Sequence, residues 1–281
     1  MKNFDFGGIP KPVPNVEPPQ HGAEQHQMLQ KISVAETDLR KAFGEAGIEY
    51  DAGHEKKLKD AVFLDIKTVL EKEAPSTKPD IHLAQFADGE EKFWAVYKTD
   101  HGEKEWLGYQ LDSAFNVRRS PVTVMKDLDL GAGAVSEFVT GRESSKFDWR
   151  NDMSPDEMSR VADFHFIIGE TDENWMNCFA TPDGRLVTLD RGEAFTTSHK
   201  PYTAVIKKAL AGKHPVSADV LAAAERFLAS PGLRHAVKKA FEAAFPEDGG
   251  RRFEAMMKRI EIYIHHKGLP PDLEPKAARK K

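Results

Sequence analysis

The chain has 281 residues and a mass of 31.5 kDa, enough for one large or two modest domains with a real core. Hydrophobic residues make up 40% and charged residues 30% of a soluble globular composition, and a formal charge of −5 with a pI near 6.1 leaves no electrostatic footprint for nucleic acid. The single cysteine, Cys178, excludes an intramolecular disulfide and a cysteine zinc site and suits a reducing cytoplasm, and no signal-peptide core or membrane-length apolar run is seen, so integral membrane association is not expected.

Residues 1–27 carry Pro10, Pro12, Pro14, Pro18 and Pro19 with little apolar content, which predicts an extended, flexible arm. Met28, Leu29, Ile32, Ala35, Leu39 and Phe43 follow at helical spacing. The stretch 61–70 fits either a helix end or a first strand. Ile81–Phe86 and Phe93–Tyr97, joined across Asp88-Gly89, predict a hairpin whose second strand ends at Lys98. Glu105 to Phe115 predicts a helix, and 121–125 and 134–139 predict two more strands. Ser154-Pro155-Asp156-Glu157 combines a cap, a proline at the first helical position and a capping box. From Tyr202 to His265 the pattern is helical, with breaks near Gly212–Pro215, Ser230–Gly232 and Pro246–Gly250. Strands first and helices after is an α+β order in two lobes. Residues 268–281 read as a flexible basic tail.

Between Phe164 and Phe195 lies a polar triplet, Asp172, Asn177 and Asp190. Phosphoryl transfer needs an Asp to orient the acceptor hydroxyl and an Asn across one turn of loop for a metal ion. A second Asp must reach the same metal from beyond a short hairpin. Met176–Ala180, the turn Thr181-Pro182-Asp183-Gly184 and Leu186–Leu189 read as that hairpin. Upstream, Lys98 at a strand end resembles the lysine that pairs with nucleotide phosphates, and Glu105 on the next helix can hold its ammonium, with Glu103 as the neighbouring rival.

Taken together, Tyr97-Lys98, Glu105-Trp-Leu-Gly-Tyr-Gln-Leu-Asp112, Pro121-Val-Thr-Val124, Ile167-Ile-Gly-Glu-Thr-Asp172-Glu-Asn-Trp-Met-Asn177 and Leu189-Asp190-Arg-Gly-Glu-Ala-Phe195 resemble the atypical kinases. That superfamily holds phosphatidylinositol kinase-like enzymes, HipA-type bacterial kinases and secretory-pathway casein kinases. The resemblance spans about residues 80–200 and implies a two-lobed protein-kinase-like fold, with a small β-rich N-lobe (about 28–139) and a larger helical C-lobe (about 140–267). It further implies ATP with Mg²⁺ or Mn²⁺ as cofactors. Asp172, Lys98 and Glu105 are then catalytic, Asn177 and Asp190 hold the metal, and the backbone around Glu137, Phe138 and Val139 binds adenine. Glu170 stands at the family's usual Asn position, Glu173-Asn174 replaces a common Arg-His, and Arg191 stands where Asn is frequent. No glycine-rich loop precedes Lys98; Ser76 and Thr77 in Pro75-Ser-Thr-Lys-Pro79 are its stand-in.

Other chemistry has less support. His265-His266, His21 and His26 lack partners at metal spacing, and Gly131-Ala-Gly133 is not a dinucleotide fingerprint. Cys178 has no assignable base and reads as a small buried residue. The expected function is an ATP- and metal-dependent phosphotransferase acting on a protein, lipid or small-molecule hydroxyl. The alternatives are an inactive kinase-like nucleotide-binding module and an AMP transferase using the same ligands.

Overall fold

Antiparallel strands and the helices packed on them form an α+β fold. The computed structural model describes residues 22–68, 81–128, 131–139, 142–143, 153–172, 177–271 and 273. Helix α1 (Gly22–Ala46) starts ahead of Met28, because Gln25 lies against the sheet and its Oε1 accepts the Ala132 N–H at 3.4 Å. A second helix, α2 (Ala52–Asp60), is capped by Asp51, whose carboxylate accepts the His54 N–H at 2.9 Å.

The open reading of 61–70 resolves as a strand, β1 (Val62–Thr68). It pairs with β2 (Ile81–Asp88), which pairs with β3 (Glu91–Lys98) across a turn where Gly89 takes a left-handed backbone, φ 60°. Alternation along β2 places His82, Ala84 and Phe86 inward, as period 2 requires. After α3 (Gly102–Ala114) come β4 (Thr123–Leu128) and β5 (Gly131–Glu137), completing a sheet of order β1-β2-β3-β5-β4. The Gly131-Ala-Gly133 run has a packing reason. A Cβ on Gly133 would lie 2.6 Å from the Lys98 carbonyl oxygen and 2.7 Å from the Tyr97 ring, so only glycine lets β5 approach β3 there.

A second sheet joins β6 (Arg142–Glu143), β7 (Cys178–Ala180) and β8 (Leu186–Thr188), the last two forming the expected hairpin around Gly184. Before them, α4 (Pro155–Ile168) begins as predicted: the Glu157 N–H donates to Ser154 Oγ at 3.1 Å. The reciprocal half of the capping box is absent. The Glu157 carboxylate instead accepts Arg119 Nε, Arg119 Nη2 at 2.7 Å and the Leu186 N–H at 2.7 Å, tying α4 to the segment after α3 and to β8.

Four helices follow, α5 (Ala204–Gly212), α6 (Ala218–Ala229), α7 (Pro231–Ala244) and α8 (Gly249–His266), broken where Gly and Pro predicted. Each of the first three has a hydroxyl cap, from Thr203, Ser217 and Ser230. Their apolar faces build the main core with α1, α3 and α4, where Phe195 meets Phe241 at 5.5 Å and Phe245 at 5.7 Å. Leu273, in the expected tail, is also buried in this core. A smaller cluster, including Leu58, Phe86, Tyr97, Tyr109 and Val135, fills the inner face of the five-stranded sheet.

Between α4 and α8, Asp163 Oδ2 accepts the Tyr263 hydroxyl at 2.8 Å and the Ser217 N–H at 2.9 Å; burial pushes the Asp163 carboxyl up to about 7. No helix among the described residues is long and apolar enough to cross a membrane.

Candidate active site

Three elements bring charged groups to one place. Lys98 ends β3 and is held in register opposite Ala134 of β5. Its buried ammonium lies 2.7 Å from Glu105 Oε1, in the first turn of α3, and 2.6 Å from Asp190 Oδ1, just past β8. Burial pushes the Lys98 amine down, but the carboxylates of Glu105 and Asp190 outweigh it and hold the group above the ordinary lysine range. The cation is therefore fixed in its charged form. Glu103, the neighbouring rival, takes no part in this contact: it is partly buried and 3.9 Å from His101. Burial raises the pKa of its carboxyl.

Asp190 itself has a left-handed backbone, φ 55°, which Asp tolerates better than most residues. The bend turns its Oδ1 back to accept the Gly192 N–H at 3.2 Å. Glu105 Oε1 accepts a second donor, the Arg191 N–H at 2.8 Å, so α3 grips both the lysine and the backbone beside Asp190.

The Asp172 loop leaves α4 through Gly169, φ 75°, with the Gly169 and Glu170 N–H groups donating to the His165 carbonyl. The five-residue spacing closes into contact: Asn177 Nδ2 donates to Asp172 Oδ2 at 2.6 Å. The Leu189 N–H donates to the Asn177 carbonyl at 2.7 Å and holds the loop beside the segment carrying Asp190. Asp172, Asn177 and Asp190 all line one small pocket, together with His165, Glu170 and Arg191. Its volume of about 20 Å³ admits a water or an ion and no nucleotide.

Among the described residues no group of three or more His, Cys, Asp and Glu forms a metal cage. The donors assigned to the cation, the carboxylate of Asp190 and the amide oxygen of Asn177, are hard oxygens that line the same pocket. With Asn177 Nδ2 committed to Asp172, its Oδ1 is the atom left for a cation. Such a set suits Mg²⁺, which takes few protein ligands and completes its shell with water and phosphate.

Glu137, Phe138 and Val139, the expected adenine contacts, do not line this pocket. Glu137 pairs with Ala95 of β3, the strand that Lys98 ends, and the three residues border a separate cleft of about 740 Å³ with Arg118 and Arg119. Ser76 and Thr77 lie outside the described residues. Cys178 is buried and its thiol is pushed up to about 12 by that burial, so it carries no nucleophilic thiolate.

Two residues that the sequence showed only as departures from the kinase pattern meet in the site. Arg191 Nη1 lies 3.6 Å from Glu170 Oε2, and both side chains are at most 3% exposed. Their opposite charges were the available signal. No family model matches the chain, and no curated protein matches it in sequence.

Proposed function

We propose that the chain is an ATP- and metal-dependent phosphotransferase with a hydroxyl acceptor, built on a two-lobed kinase-like arrangement and working in a reducing cytoplasm. The observation that carries this reading is the buried ammonium of Lys98, 2.7 Å from Glu105 and 2.6 Å from Asp190, beside an Asp172–Asn177 pair at 2.6 Å. Lone lysines at strand ends are usually solvated. A buried one, fixed between a helix carboxylate and a loop carboxylate, is placed to receive anionic oxygens.

Each residue then has one task. Lys98 binds nucleotide phosphate, and Glu105 keeps its ammonium oriented. Asp190 and Asn177 hold the cation through oxygen. Asp172 orients the acceptor hydroxyl and takes its proton at a carboxylate oxygen, steadied by the Asn177 amide. A bound Mg²⁺ supplies charge neutralisation on the phosphates. Positioning and electrostatics account for most of the rate in this chemistry, so five side chains suffice.

Incubation with ATP labelled at the γ or the α phosphate, in Mg²⁺ or Mn²⁺, tests the reading. Covalent γ label, abolished in Asp190→Ala with metal-dependent ATP affinity lost and the fold intact, is the expected result. Covalent α label would mean AMP transfer. ATP binding with neither label would mean a binding module.

A further inference from the structure

We infer that Glu170 and Arg191 act as one positioning device that locks the loop carrying Asp172 to the segment carrying Asp190. Glu170 Oε1 accepts the Thr171 N–H at 2.9 Å and the Asp172 N–H at 3.0 Å, so its carboxylate fixes the backbone on which Asp172 stands. Its Oε2 makes no hydrogen bond and faces Arg191 Nη1 at 3.6 Å. A buried carboxylate needs a cation there, since its own desolvation is otherwise uncompensated.

Arg191 is in turn held at both terminal nitrogens, while its Nε makes no hydrogen bond. Its Nη1 lies 3.2 Å from His165 Nε2, its Nη2 donates to Ser120 Oγ at 3.2 Å and to Thr188 Oγ1, and its guanidinium lies over the Phe164 ring at 5.5 Å. Room for its stem comes from α3. A Cβ on Gly108 would stand 2.9 Å from Arg191 Cγ, so the slot exists only with glycine at that position. The Arg191 N–H donates to Glu105 Oε1, which also accepts Lys98. One continuous chain of contacts thus runs from Lys98 through Glu105, Arg191 and Glu170 to the backbone of Asp172.

Glu170 and Arg191 touch no reacting atom in this scheme; they are positioning residues. The two departures from the kinase pattern are therefore a single change, an opposite-charge pair at the two positions where that pattern favours asparagine. The device rests on the proposed function only for what Asp172 and Asp190 do, and it is tested without any reaction.

The measurement is residue-resolved amide exchange by NMR on the full chain, with unfolding midpoints recorded on the same samples. In Arg191→Met, the Thr171 and Asp172 amides, which Arg191 does not touch, should exchange about tenfold faster, the worth of one lost hydrogen bond. Amides in α8 should keep their rates. Gly108→Ala disturbs the Arg191 stem without removing a charge and should give the same local signature, which keeps the test alive if Arg191→Met fails to fold. Glu170→Gln/Arg191→Met should exchange no faster at these amides than Arg191→Met alone. Unchanged Thr171 and Asp172 rates in Gly108→Ala or Arg191→Met, or faster exchange at these amides in the double variant than in Arg191→Met, would overturn the device. MgATP titrated into the wild-type protein reports on the functional reading separately: no binding there would count against that reading and leave the exchange rates to decide the device.

Discussion

At the level of single residues, Lys98 shows how a weak sequence feature becomes a constrained one. Its ammonium is shared by two carboxylate oxygens in a nearly dry setting. Removing one partner of a buried ion pair usually costs more than the pair contributes, because an uncompensated charge remains. Lys98→Met leaves Glu105 and Asp190 facing each other. We expect a loss of about 3 kcal/mol in chemical denaturation, at the low end of such effects because Asp190 is partly exposed. A variant as stable as the parent would show that the lysine is not anchored as described. Lys98 with Glu105, and Asp172 with Asn177, stood out in the sequence as short local spacings, and the kinase-like pattern added Asp190; the contact between Lys98 and Asp190 spans 92 positions and no local spacing carries it. The Glu170–Arg191 contact was not legible either. Its members are separated by a loop and a hairpin, and only the pairing of β7 with β8 brings them within 3.6 Å.

At the level of elements, local signals did well where they were self-contained. The β2–β3 hairpin, the start of α4 and the three breaks among α5 to α8 each follow from turn or cap residues close in sequence. Helix α2 escaped notice because its polar sequence offers Leu58 as its one buried aliphatic residue. Its signal was the Asp51 cap. Glu157 marks the limit of local reading: the capping-box spacing is present, yet long-range donors on Arg119 and Leu186 win the carboxylate. A charge-assisted, buried arrangement outweighs one exposed N–H at a helix start. Ser154→Ala should therefore cost about 1 kcal/mol, the usual value of a lost cap. Glu157→Ala should cost about 3 kcal/mol, because it leaves the partly buried Arg119 and the buried Leu186 N–H without their carboxylate. Equal losses in urea denaturation would restore the simple capping box.

At the level of the whole molecule, Asp163 couples folding to pH. Its carboxyl sits among α4, α6 and α8, and burial moves it from 3.8 to about 7. The folded chain thus keeps a proton that the unfolded chain has already released. The sign follows: stability is full below about pH 4 and falls as pH rises toward 7, by on the order of 4 kcal/mol from this group. Both donors, Tyr263 and Ser217, use the same Oδ2, so an asparagine carbonyl can replace it. Asp163→Asn should be more stable than the parent at pH 8, with the gap narrowing toward pH 4.5. Denaturation curves at these two pH values give the answer, and a gap that does not change with pH would refute the coupling.

The central claim concerns Asp172, and one comparison tests it most directly. Asp172→Asn keeps the contact with Asn177 in shape while removing the proton acceptor. MgATP affinity, unfolding midpoint and rate of γ-phosphate transfer should be measured on one preparation of each protein. The account predicts unchanged affinity and midpoint, with transfer slower by about 10²–10⁴, the usual worth of general acid–base help. Transfer at the parent's rate in a folded Asp172→Asn protein would contradict it.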